Sequence, residues 1–94
     1  MKQDDKADDT LRLAFTANGW EDYLYWLEKD RKIAKRLNLL INEAPRTPFE
    51  GLGKPEALKY SLQGCYSRRI TEEHRLVYKV KSGTLVIMMA RYHY

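Results

Sequence analysis

Apolar and polar residues alternate with a period of two in LRLAFT, residues 11–16. Leu11, Leu13 and Phe15 fall on one side of an extended chain and Arg12 and Ala14 on the other. That spacing predicts a strand with one buried face. The period then lengthens. Trp20, Tyr23, Leu24 and Leu27 recur at i, i+3, i+4 and i+7, the stripe of an amphipathic helix, and Thr16 stands where a side-chain oxygen would cap it. Ile33, Leu37, Leu40 and Ile41 form a second stripe behind another capping residue, Asp30, with Arg31, Lys32, Lys35 and Arg36 largely on the opposite face. Two helices joined by so short a turn are expected to lie antiparallel.

Periodicity stops at PRTPFEGLGKP, residues 45–55, which holds all three prolines and two of the five glycines. This composition excludes regular structure, and so long a connection in a small domain is often functional. Leu58 and Leu62 are expected to pin its far end to the core. Strand patterns return in CYSRRI (65–70) and RLVYKV (75–80) around the polar turn TEEH, and Ser82-Gly83 turns the chain into TLVIMMARY (84–92). Unbroken hydrophobicity in this last run predicts a central strand buried on both faces. The sum is an α+β fold: an N-terminal strand, a two-helix hairpin and an antiparallel three-strand meander, with the helices packed on one face. Residues 11–94 form a single domain, and residues 1–10, acidic and poor in apolar side chains, read as a flexible extension.

Charge changes the picture. The net charge is +4 over 94 residues, yet the first ten residues hold four Asp against two Lys, while residues 45–94 carry nine Lys/Arg against four Asp/Glu. A basic C-terminal half suits a polyanionic partner as well as it suits ordinary solubility. Cys65 is the only cysteine, so no internal disulfide forms, which fits a reducing compartment and a cytoplasmic protein. The longest apolar run, Leu85 to Ala90, is far too short to span a membrane, and the N-terminus has no signal-peptide pattern. His74 and His93 are the only histidines, and no HExxH, CxxC, GxGxxG or P-loop spacing occurs, so neither a metal nor a cofactor is expected.

What remains for chemistry is Arg, Glu, Lys, His and Tyr. Arg68, Arg69 and Arg75 fall on adjoining strands of one hairpin, Arg91 and His93 share strand parity, and Glu56 follows Pro55 at the end of the rigid loop. A carboxylate, several guanidiniums and a histidine can transfer a phosphoryl group without a metal, because RNA supplies its own 2′-OH nucleophile. Each also has a plain structural role open to it: solvated loop Glu, ion-paired strand Arg, and a structural His74 beside Glu72 and Glu73. From the residues alone the reading stays at a basic α+β domain that binds nucleic acid.

Longer motifs go further. RTPFEGLGKPEALKYSLQGCYSRRITEEHRLVYKV, the closing ARYHY and WEDYLYW in the first helix resemble the Txe/YoeB branch of the RelE-like bacterial toxins, from Leu11 to Tyr94. The resemblance implies a RelE/ParE-like, microbial-RNase-type fold and an mRNA interferase that cuts the codon in the ribosomal A site. Carried over motif by motif, Glu56 of GKPE would be the general base and His93 of RYHY the general acid. Arg75 of EEHR would stabilise the transition state, with Lys59, Arg69 and Tyr94 contacting phosphate or positioning the nucleotide. Implied partners are the ribosome and its mRNA, a cognate YefM-like antitoxin, operator DNA only through that antitoxin, and in some members a second copy of the toxin. Lys32, Lys35 and Arg36 are expected to contact the ribosome. Two departures stand out: residues 1–10 have no counterpart in the shorter family pattern, and Cys65-Tyr66 occupies the place of an aromatic pair. The alternatives are a non-catalytic ParE-like toxin acting on gyrase, or a module that only binds antitoxin.

Overall fold

In the computed structural model, which describes residues 9–92, strand β1 (Arg12–Phe15) leads into helices α1 (Ala17–Lys29) and α2 (Arg31–Glu43). A two-residue strand β2 (Glu56–Ala57), a short 3-10 turn at Tyr60–Leu62, and strands β3 (Cys65–Arg69), β4 (Arg75–Lys81) and β5 (Thr84–Met89) follow. The extension expected at residues 1–10 lies mostly outside the described residues, as do His93 and Tyr94; Asp9 and Thr10 are exposed and irregular.

Both caps are where the sequence puts them. Thr16 accepts from the Gly19 N–H and Asp30 from the N–H groups of Lys32 and Ile33, satisfying donors that a helix start leaves unpaired. The meander β3-β4-β5 is antiparallel, as expected. The sheet is nevertheless larger and mixed. Its order is β1-β5-β4-β3-β2, with β1 parallel to β5 and β2 antiparallel to β3. The fifth strand was not legible because its two residues directly follow the proline- and glycine-rich loop and exist only by pairing with β3.

Strand β5 is interior, but only one of its faces is closed. Leu85 and Ile87 are fully buried while Val86 and Met88 are half-buried. On the helix side, Leu37 and Leu40 of α2 meet Leu76, Tyr78, Leu85 and Ile87 of the sheet in the main core. The other face carries only a small cluster of Leu58, Cys65 and Val77, with Leu62, Met88 and Met89 packed against it. Leu58 and Leu62 thus anchor the far end of the loop as expected, and the remainder of that face is open for chemistry.

Helix α1 corrects the periodic reading. Its buried line is Gly19, Asp22 and Trp26, whereas Trp20, Leu24 and Leu27 are 46%, 43% and 48% exposed. Gly19 explains the rotation. A Cβ there would lie 2.4 Å from the Ile87 carbonyl oxygen, so only glycine lets the helix settle this closely on β5. Thr16 fixes the same approach by donating to the carbonyl of Met88 at 3.1 Å. In β1, Leu13 is 44% exposed where a buried face was expected, because β1 is an edge strand.

Candidate active site

Side chains alternate across a strand, so Cys65, Ser67 and Arg69 point to the face of β3 away from the helices, with Tyr66 and Arg68 on the other. Register then assembles a cluster. Glu56 of β2 stands opposite Ser67, and Arg69 stands opposite Arg75 of β4. Three strands therefore bring a carboxylate, a hydroxyl and two guanidiniums together. They line, with Gly53 and Lys54, a depression of about 100 Å³. A second depression of about 220 Å³ adjoins it, lined by Arg36, Gly53, Lys54 and Arg69.

The wall of both depressions is the loop after α2, and it is organised from beneath by one buried arginine. Arg68 has no exposed surface. Its guanidinium donates to Glu43 Oε2 at 2.9 Å, to the carbonyls of Leu52 and Glu50 at 2.9 and 3.0 Å, and to the carbonyl of Thr47. Its Nε donates to Tyr78 Oη at 3.0 Å, and that hydroxyl donates onward to Pro48 O at 2.6 Å. Burial raises the Tyr78 pKa, which keeps the hydroxyl a donor. A loop with no regular structure thus has its carbonyls satisfied by a side chain. Gly53, at φ +82°, seals the join: a Cβ there would meet Arg68 Cβ and Leu40 Cδ2 at 3.0 Å, and its carbonyl accepts the Arg69 N–H at 2.9 Å. Lys54 follows in the left-handed region at φ 52°, uncommon for a residue with a side chain, and this turn sets it at the pocket edge.

Arg75 is fixed from behind. Its Nη1 donates to the carbonyls of Thr71, Glu72 and His74 at 2.7, 3.1 and 3.3 Å. Such a braced guanidinium is preorganised to meet an anion. Glu56 is exposed, and so reaches any substrate laid on the open face.

Of the residues singled out in the sequence, Glu56, Arg69 and Arg75 come together. Lys59 does not line the pocket; it is exposed and stands at the start of the 3-10 turn. The three helix cations separate: Lys32 and Lys35 are exposed, but Arg36 donates to the Arg69 carbonyl at 3.1 Å and borders the second depression. His93 and Tyr94 lie outside the described residues. The strand expected to run to Tyr92 is shorter: β5 ends at Met89, Tyr92 turns to φ 57°, and Arg91 lies over the Tyr25 ring at 3.7 Å on the helix side, while the shared parity of Arg91 with His93 falls on a residue outside the described ones. Lys54 and Ser67 were missed. Lys54 precedes the Pro55-Glu56 pair and Ser67 shares parity with Arg69, so both left a signal. Among the described residues no group of three or more His, Cys, Asp or Glu could hold a metal ion. No helix there is long and apolar enough to cross a membrane.

Fold and pocket together define a class: a small basic α+β domain whose open sheet face sets one carboxylate among several cations, an arrangement that suits a phosphodiester. The chain belongs to the YoeB-like toxins of bacterial type II toxin-antitoxin systems, matching that family over residues 15–94. It is 57% identical over 84 residues to Toxin YoeB of Streptomyces coelicolor, covering 89% of this chain and 100% of that one. Two solved structures from Staphylococcus aureus are similar at 44% identity: a YoeB dimer, with a TM-score of 0.81 and 90% and 99% of the two chains covered, and a YoeB-YefM complex, at 0.80 with 89% and 98% covered.

Proposed function

We propose that this toxin is a ribosome-dependent endoribonuclease that cleaves mRNA at the A-site codon. The observation that carries the reading is the convergence of Glu56, Arg69 and Arg75, from three different strands, on one depression. In this mechanism the Glu56 carboxylate takes the proton of a ribose 2′-OH, and that oxygen attacks the adjacent phosphorus. Arg75 and Arg69 donate to the phosphoryl oxygens as charge builds on them. His93 protonates the departing 5′-oxygen, which leaves a 2′,3′-cyclic phosphate and a 5′-OH. Tyr94 and Lys59 help to position the nucleotide. Arg36 and Lys54 extend the cationic wall and are suited to a flanking phosphate, while Lys32 and Lys35 contact ribosomal RNA at longer range.

Under this reading the toxin works in the bacterial cytoplasm, and a YefM-like antitoxin inhibits it by covering the basic face. The antitoxin carries the operator-binding activity, so the toxin reaches DNA only indirectly. A second copy of the chain can associate with it, as in the relative solved as a dimer.

Primer extension on a defined mRNA in stalled ribosomes tests the reading, with wild type run beside His93→Ala. A-site cuts that carry a cyclic phosphate and disappear in the variant are expected. A folded, ribosome-bound wild type that makes no cut would overturn it in favour of a binding-only toxin.

A further inference from the structure

Charge is divided unevenly between the two layers of the fold. Residues 16–43, which form both helices with their N-caps, carry five Lys/Arg and five Asp/Glu. The strands are not balanced in this way. Alternation sends Arg12 of β1, Arg69 of β3, and Arg75, Lys79 and Lys81 of β4 to the face away from the helices. Among the described residues of the strands, Glu56 is the one carboxylate on that face. Five cations against one carboxylate give the open face a positive field. Arg69, Arg75 and Glu56 belong to the pocket, whereas Arg12, Lys79 and Lys81 do not line it.

Register gathers these three at the far end of the same face. Lys81 pairs with Thr84 and Thr84 with Arg12, so one row across β4, β5 and β1 begins and ends on a cation. Lys79 stands one step nearer the pocket, in a row with Cys65, Val86 and Ala14. Two strand spacings, about 10 Å, separate Lys81 from Arg12, and two residues, about 7 Å, separate Lys81 from Lys79. Arg12 and Lys81 are exposed and Lys79 is half-buried, which suits an ammonium held in water on a stem that covers apolar sheet. Like charges this close repel one another, and an anion laid among them removes that repulsion. Counted along β4, the trio lies about 13–20 Å from Arg75. The ground between is apolar: Val77 stands there, with the half-buried Leu62, Met88 and Met89 packed on its cluster.

We propose that Arg12, Lys79 and Lys81 form a second RNA subsite, which holds phosphates of the same strand whose scissile bond lies in the Glu56–Arg75 pocket. The proposal rests on the reading of that pocket as an RNA site, and it names where the substrate continues. A single strand carries phosphates at regular intervals along its backbone and flat, largely apolar bases beside them. Two cationic places on one open face, with Leu62, Met88 and Met89 between them, match that alternation. An acidic peptide would match the charge and leave the apolar ground unused. Contacts to phosphate carry no sequence information, so the subsite acts on every RNA alike. It lies away from the reacting atoms and binds ground state and transition state equally, which strengthens substrate binding and leaves the chemical step unchanged.

The test measures binding of 2′-O-methyl RNA, which lacks the nucleophile and stays intact, by fluorescence anisotropy over a range of salt. A trinucleotide covers the pocket alone, and an oligomer of about ten nucleotides reaches the trio as well. The full wild-type chain is compared with Lys79→Ala/Lys81→Ala and with Arg12→Ala. Lys29→Ala/Arg31→Ala is the control, removing two charges from exposed positions of the helix layer. For the longer strand, Lys79→Ala/Lys81→Ala should weaken binding about tenfold or more and flatten the log-log salt slope by about 1.4, two phosphate contacts, and Arg12→Ala should flatten it by about 0.7. Trinucleotide binding should stay at the wild-type value in all of them, and so should binding of the longer strand in the helix control. Lys79→Arg/Lys81→Arg, which keeps the charge, should restore the slope. Equal losses in the helix control would overturn the subsite, because net charge alone would then account for them. A wild-type slope that does not steepen with strand length would overturn it too. Poly-glutamate that competes as well as RNA of equal charge would overturn it in favour of an acidic peptide. An Arg75→Ala variant that binds the trinucleotide as tightly as wild type would instead overturn the pocket as an RNA site, and with it the claim that one strand spans both.

Discussion

Arg68 Nη1 stands 2.9 Å from Glu43 Oε2, joining a guanidinium with no exposed surface to a carboxylate that is 35% exposed. This ion pair ties the end of α2 to the centre of β3, and the loop between them is folded around it. The remaining donors of Arg68 meet three loop carbonyls and Tyr78, so the residue acts as a core for a segment whose own large apolar side chains, Phe49 and Leu52, are exposed. Arg68→Ala leaves those carbonyls and a carboxylate without their donor. We expect it to lower the unfolding free energy by about 3 kcal/mol or more, read from urea denaturation, and to disorder the pocket wall.

The same pair makes stability depend on pH. The Leu52 N–H and then the Arg68 guanidinium hold the Glu43 carboxyl below its ordinary value of 4.5. A depressed folded value means that the contribution is fully present above pH 4.5 and is lost as the pH falls through the lower folded value. Urea midpoints measured from pH 7 to pH 3 for wild type and Glu43→Gln should therefore converge toward acid. Parallel curves would show that the carboxylate's charge adds nothing.

Gly19→Ala probes the seat of α1. The added Cβ meets a backbone oxygen at 2.4 Å, and backbone cannot swing aside as a flexible side-chain tip can. A loss of about 2 kcal/mol is expected, within the usual range for overpacking, and is readable as a lower thermal midpoint.

Glu56→Gln separates chemistry from folding. The side chain is exposed, so the thermal midpoint should stay within the error of wild type. The single-turnover cleavage rate should fall by about 10²–10⁴, the usual contribution of a positioned general base. A fully active Glu56→Gln would remove that residue from the mechanism.

Arg36 and Lys35, neighbours in sequence, should behave differently. Arg36 borders the cationic wall and Lys35 faces solvent. Arg36→Ala should weaken binding to a short single-stranded RNA and reduce its salt slope by about one phosphate contact, roughly 0.7 on a log-log plot. Lys35→Ala should leave both within error.

Local chemistry was legible in the sequence because it depends on near neighbours. Thr16 and Asp30 cap helices through donors two or three residues away, and the alternation in CYSRRI and RLVYKV gives strands wherever a sheet accepts them. Motif resemblance then named Glu56, Arg69 and Arg75 as partners before any geometry joined them. The tertiary structure decided what lies between distant segments. It turned Trp20 and Leu24 outward, since apolar periodicity cannot register that Gly19 admits a backbone contact or that Asp22 and Trp26 find partners on Ala90. It gave Glu56 a strand, which has no local preference behind it and is formed by pairing with Ser67 and Tyr66. It brought Arg36 against the Arg69 carbonyl at the edge of the second depression and left Lys59 outside both. Caps and alternation are governed by bonds within a turn or a pleat. Burial, register and convergence are governed by the match of surfaces many residues apart, which comes into being only when the chain has packed.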